Sequence, residues 1–170
     1  MTLRTNRLLT IKEPDPMTVR GKAAALSYSI VALVSIVLGS IYLFSPQFMP
    51  YHAAALGTSW SALEPEQQTL ILALMRVGGG GWVAVGLALA LLVALPFRQG
   101  QAWAVWLIPL LGLVFYLPNL YATLQVTLTT PATAPWYGNL VGIVALLVGY
   151  ALCPNSAALR SAAWAENNTK

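Results

Sequence analysis

Apolar and polar positions along this chain segregate into long blocks. Four apolar runs stand out, at about residues 23–44, 69–95, 102–126 and 136–153. Each is near or above the ~20 residues that a helix needs to cross ~30 Å of hydrocarbon. A backbone in lipid has no water to bond, so a spanning segment closes its own hydrogen bonds as a helix. The pattern predicts an all-α integral membrane protein. Its core is a four-helix transmembrane bundle over 23–153, with a basic tail over 1–22 and a second tail over 154–170.

The placement of charge orients that bundle. Five of the nine basic residues, Arg4, Arg7, Lys12, Arg20 and Lys22, precede the first apolar run. The loop from Ser45 to Gln68 has no lysine or arginine but holds Glu64 and Glu66. Arg98 lies in the next loop, the segment from Thr127 to Pro135 is uncharged, and Arg160 and Lys170 follow the last run. Every basic residue outside a run thus falls on one side of a four-pass chain. The positive-inside rule then predicts cytoplasmic N- and C-termini, as in a bacterial inner membrane. The first run exceeds the ~7–15 residues of a signal-peptide core, so it reads as a retained anchor. Asn167-Asn168-Thr169 matches a glycosylation sequon by chance, since it falls on the cytoplasmic side.

Composition removes whole classes of function. The chain is 58% hydrophobic and 8% charged, where a soluble domain carries ~25% charge. That excludes a soluble enzyme, a nucleic-acid binder and a disordered linker. The basic excess sits in a tail and not on a folded face, so no nucleic acid is expected as a partner. Cys153 is the sole cysteine, His52 the sole histidine and Asp15 the sole aspartate. No disulfide, CxxC pair or zinc cluster can be assembled, so no metal is expected. General acid–base catalysis needs a positioned titratable pair, and only His52 with Glu64 or Glu66 offers one. No catalytic residue is assigned. No acid lies inside any apolar run, which argues against a proton-coupled transporter and leaves an oligomeric channel open.

Arg76 is the one charge inside an apolar run, and an ionisable group there is a functional candidate by default. Counted from Leu95 it lies nineteen residues up, ~28 Å at 1.5 Å per residue, which is the outer interface. Counted from Thr69 it lies seven residues in, about 10 Å down. Either it snorkels as a structural arginine, or it contacts an anion or lipid headgroup in an outward pocket. Asn119, Tyr121, Gln125 and Asn139 fall in the same outer half and would line such a pocket. A bound lipid is the ligand class that reading implies, and no cofactor is specified. His52, in the first loop, is a further candidate ligand.

Glycines supply the other pattern. Gly78 to Gly81 follow Arg76 at once, and Gly79 and Gly86 share a face with Ala90. Gly138, Gly142 and Gly149 line one face of the last helix. Small faces of this kind let membrane helices approach closely, within the bundle or between protomers. The alternative for the four-glycine run is a weakened helix framing a ligand site. Leu56, Trp60 and Leu63 are spaced i, i+4, i+7, which predicts a short amphipathic helix capping the outer end, with His52 ahead of it. Pro96 is expected to end the second helix, and Pro109 and Pro118 to bend the third.

The basic tail, the stretch Leu72–Leu92 and the turn 95–104 resemble small four-helix bacterial integral membrane proteins. The resemblance transfers no site residue. The function expected is a non-enzymatic membrane subunit or accessory protein. Its partners would be the lipid bilayer and other membrane chains, or a homo-oligomer. The alternative is a lipid- or small-ligand-binding protein.

Overall fold

Thr18 opens the first helix: its Oγ1 accepts the Gly21 N–H at 3.1 Å, which satisfies one of the orphan donors of a helix start. From there a computed structural model describes residues 17–153. The basic tail up to residue 16, and the tail from residue 154, lie outside the described residues. The described chain is 83% helical. Helix α1 is Val19–Phe44, α2 is Pro50–Leu56, α3 is Pro65–Leu92, α4 is Ala102–Thr129 and α5 is Trp136–Leu152. No strand occurs among the described residues.

Three of these helices are long and apolar enough to cross a membrane: α1, α3 with its continuation to Phe97, and α4. Only 22% to 33% of their most apolar windows is buried inside the chain. The rest, including Leu33, Leu74, Leu91 and Val114, is exposed, so the outer surface suits lipid and not water. This is the build of a membrane protein. Helix α5 is apolar but has 17 residues, ~25 Å of axis, less than the length expected for a fourth crossing. Its N-terminal side is occupied by the loop 130–135, where Ala132 and Ala134 are buried.

Two boundaries differ from expectation, each for a local reason. Pro96 does not stop the second long helix. Lacking an N–H, it cannot bond the carbonyl four residues back. The chain instead widens into a π turn over Val93–Phe97, in which the Arg98 N–H reaches the Val93 carbonyl at 3.3 Å. In the first loop the helix comes earlier than the Leu56–Leu63 spacing predicts. Pro50 starts α2 and Gly57, with φ of 65°, ends it, so His52 lies inside the helix and Leu56 at its exposed end. Trp60 begins a separate 3₁₀ turn, Trp60–Ala62. The two prolines of α4 leave it unbroken.

Around the bundle α1 packs on α3 and α5, and α4 on α5; α3 and α4 touch more lightly. Backbone contact makes the α1–α3 seam. A Cβ on Gly79 would lie 2.7 Å from the Gly39 carbonyl, and one on Gly86 would lie 2.8 Å from that of Ala32. Aromatic rings in glycine notches make the rest. Tyr116 of α4 fills the space over Gly142 of α5, and Tyr28 of α1 that over Gly149. Buried Ser35 links the centre: its Oγ lies 2.9 Å from the Tyr116 hydroxyl and donates to the Val31 carbonyl at 2.8 Å.

A glycine's environment therefore sets the effect of replacing it. Gly86→Val drives a side chain into α1 backbone that cannot step aside, and overpacking of this kind costs about 1–3 kcal/mol or more. Gly78, where an added Cβ meets nothing within 4 Å, should accept alanine with a gain of up to ~1 kcal/mol. Melting curves of the two variants in one detergent should move in opposite directions.

Candidate functional site

The depth of Arg76 follows from the register of α1 against α3. A Cβ on Gly79 would sit 2.6 Å from the Leu43 nitrogen, so Gly79 is level with Leu43. Arg76 is three residues, ~4.5 Å, further along, beyond the Phe44 end of α1. Lys22 and Arg98 together mark the opposite end of the same two helices. From Lys22 to Phe44 is 22 residues, ~33 Å of helix, against ~30 Å of hydrocarbon. Basic residues thus bracket an apolar column one bilayer thick, with the Arg76 guanidinium at its rim and the side chain exposed.

The direction of Arg76 follows from helical phase. Gly81, whose added Cβ would meet Phe115 of α4 at 3.7 Å, is five residues on, about 140° around the axis at 3.6 residues per turn. Trp82, which packs edge-on to Phe115 at 5.0 Å, is six residues on, about 120° around in the opposite sense. Arg76 therefore leaves α3 on the side away from α4. Gly80 and Ala84 follow it at i+4 and i+8, and Gly80 also has nothing within 4 Å of an added Cβ. The acid nearest along α3 is Glu66, ten residues or ~15 Å up the axis.

The polar residues expected to share a pocket with Arg76 have separate surroundings. Asn119 Nδ2 donates to the Phe115 carbonyl of its own helix at 2.8 Å. Asn139 is buried and its Nδ2 donates to Thr123 Oγ1 at 3.2 Å. Thr123 in turn donates to the Asn119 carbonyl at 2.9 Å, so the two asparagines join through Thr123. The Asn139 Oδ1 is buried without a hydrogen-bond partner. Tyr121 and Gln125 are exposed on α4. These residues lie on α4 and α5, across α3 from the guanidinium. Of the expected packing glycines, Gly79, Gly86, Gly142 and Gly149 touch a neighbouring helix and Gly138 faces open space.

His52 belongs to an aromatic cluster that plugs the loop end of the bundle. Its ring stands 4.1 Å from Tyr51, 6.2 Å from Tyr42 and 6.3 Å from Phe48. Phe48, buried, stacks edge-on with Trp60 at 5.1 Å. The Tyr42 and Tyr51 hydroxyls bond each other, and Gln68 Nε2 donates to the Trp60 and Leu63 carbonyls. The His52 Nδ1 accepts the Met49 N–H at 3.3 Å, which ties down the start of α2. Burial holds its pKa below the ordinary value. No trio of metal-ligating side chains occurs among the described residues. Sequence reasoning missed Ser35, Thr123 and the Tyr42–Tyr51 pair. The signal for Ser35 was a hydroxyl in the middle of an apolar run, where it needs a partner.

Compared with known protein families, curated proteins and solved structures, the chain matches none.

The lowered pKa of His52 makes the loop plug pH-dependent. The unfolded loop binds a proton near pH 6.5 and the folded loop at lower pH, so the stability it contributes is full above that value and is lost as the pH falls below it. Amide protection factors over Met49–Gly57, which remove the intrinsic pH dependence of exchange, should fall between pH 7.5 and pH 5. His52→Gln, which keeps an acceptor but does not titrate, should flatten that dependence.

Proposed function

We propose that this chain is a non-enzymatic, four-pass membrane subunit with both termini in the cytoplasm. It docks against another membrane-spanning helix through the outward face of α3. The observation that carries this reading is the series Arg76, Gly80, Ala84. These residues share one face, turned away from α4, and Gly80 has no neighbour of its own to fill its notch. Membrane helices associate through close packing at small residues and through hydrogen bonds, because lipid gives them no hydrophobic drive to pair. A small notch with a guanidinium at its rim meets both needs. Arg76 would bond a carboxylate or a helix-end carbonyl of the partner at the membrane boundary.

The bundle interior supports a structural and not a catalytic role. Its centre is filled by Tyr28, Tyr116, Leu89, Ile108 and Leu146, all at most 1% exposed. With α5 counted, the four helices would run up-down-up-down, and the short fourth crossing would be met by local thinning of the bilayer.

Gly80→Leu tests this, since a Cβ added there meets nothing within 4 Å. Size-exclusion chromatography with light scattering, in a mild detergent after native extraction, should find the wild type with a second chain or a second copy. Gly80→Leu and Arg76→Leu should each lower that association by about tenfold or more, ~1.4 kcal/mol, at unchanged membrane content. A wild-type protein that runs alone as a stable monomer overturns the reading.

A further inference from the structure

The α1–α3 seam is closed by backbone contact at Gly39, Gly79 and Gly86. Toward the Lys22 end it opens into a groove of about 720 Å³. Small side chains, Ala25, Ser29, Ala90 and Ala94 among them, form part of its wall, and Lys22 and Arg98 both belong to its lining. Along α1 the lining runs from Lys22 to Ile36, fourteen residues or ~21 Å. One leaflet contributes about 15 Å of the ~30 Å hydrocarbon. The groove is therefore as deep as a leaflet, apolar along its length, and carries two cations and no acid.

We infer that this groove holds one anionic phospholipid. The phosphate lies between the Lys22 ammonium and the Arg98 guanidinium, and an acyl chain lies along the seam between α1 and α3. Charge complementarity selects the headgroup: each basic side chain at a membrane surface attracts anionic lipid by ~1 kcal/mol, and an arginine fork matches phosphate geometry. Shape selects a chain-bearing ligand over a free anion, because the greater part of the groove is apolar. The inference rests on the reading that α1 and α3 cross a bilayer. It does not depend on which face is cytoplasmic, and the groove lies toward the opposite end of α3 from Arg76 and Gly80.

The test uses the full-length protein in nanodiscs of mixed phosphatidylglycerol and phosphatidylcholine, released for native mass spectrometry. Wild type should retain one phosphatidylglycerol in preference to phosphatidylcholine. Lys22→Gln/Arg98→Gln should reduce that retention about tenfold, and Ala25→Trp, which fills the groove without touching its charge, should do the same. Millimolar inorganic phosphate should leave retention unchanged; if phosphate displaces the lipid, the site binds an anion alone and the inference fails. Removal of residues 2–16 should also leave retention unchanged. A chain that takes up phosphatidylglycerol only after that removal would show the groove filled by its own N-terminal segment, which overturns the proposal. Equal retention by wild type and the double variant overturns it as well. Carbonate extraction separates the two levels of failure: a protein released from membranes sinks the spanning reading, whereas one that stays but shows no lipid preference sinks the groove alone.

Discussion

Close approach at glycine is the constraint on which this bundle depends. Helices in lipid gain nothing from hiding apolar surface, since the tails outside are as apolar as the partner. They stay together when more atoms touch than lipid would supply. Here that contact comes in two forms. Gly39, Gly79 and Gly86 bring the α1 and α3 backbones into contact. Gly142 and Gly149 receive the rings of Tyr116 and Tyr28. Tyr116 then reaches three helices at once: it lies over Gly142, packs edge-on to Trp82 at 5.2 Å, and shares a hydrogen bond with Ser35. The Ser35–Tyr116 bond is the kind of buried polar link that fixes rotation and height: Ser35 already donates to the Val31 carbonyl, and the Tyr116 hydroxyl takes its partner from Ser35.

The same economy explains what lies outside the bundle. With the centre filled by rings, the basic side chains are left at the rims. Arg76 sits at one rim, Lys22 and Arg98 at the other, separated by about one hydrocarbon thickness. The loop between α1 and α3 closes the Arg76 end with an aromatic plug. Both proposed contacts, a protein partner on one face of α3 and a lipid in the seam beside α1, follow from where the internal packing stops.

Much of this was legible in the apolar blocks. The three long helices and their loops fall close to where run length places them, because hydropathy over twenty residues is a signal that tertiary contacts do not reverse. Helix ends were less legible. Pro96 reads as a stop, yet a π turn carries the helix past it, and Gly57 ends α2 just where the Leu56–Leu63 spacing suggests a helix continues. Those outcomes depend on one backbone bond each. The candidate site was least legible. A pocket uniting Arg76 with Asn119 and Tyr121 requires knowing which side of α3 faces α4, and linear spacing carries no such phase. The pairing of large with small across the α4–α5 hairpin, Tyr116 with Gly142 and Gly112 with Leu146, obeys a single antiparallel register and fixes the facing sides of α4 and α5, but not that of α3.

The unequal seams have a consequence for biogenesis. The tightest contacts join α1 to α3 and α4 to α5, each pair connected directly in the chain, whereas α3 and α4 touch lightly. A nascent polypeptide leaving the ribosome can therefore complete its first hairpin before the second has been made, with each lateral release into lipid delivering a unit that already holds together. Only the clasp of α1 on α5 must wait until the second hairpin has been made.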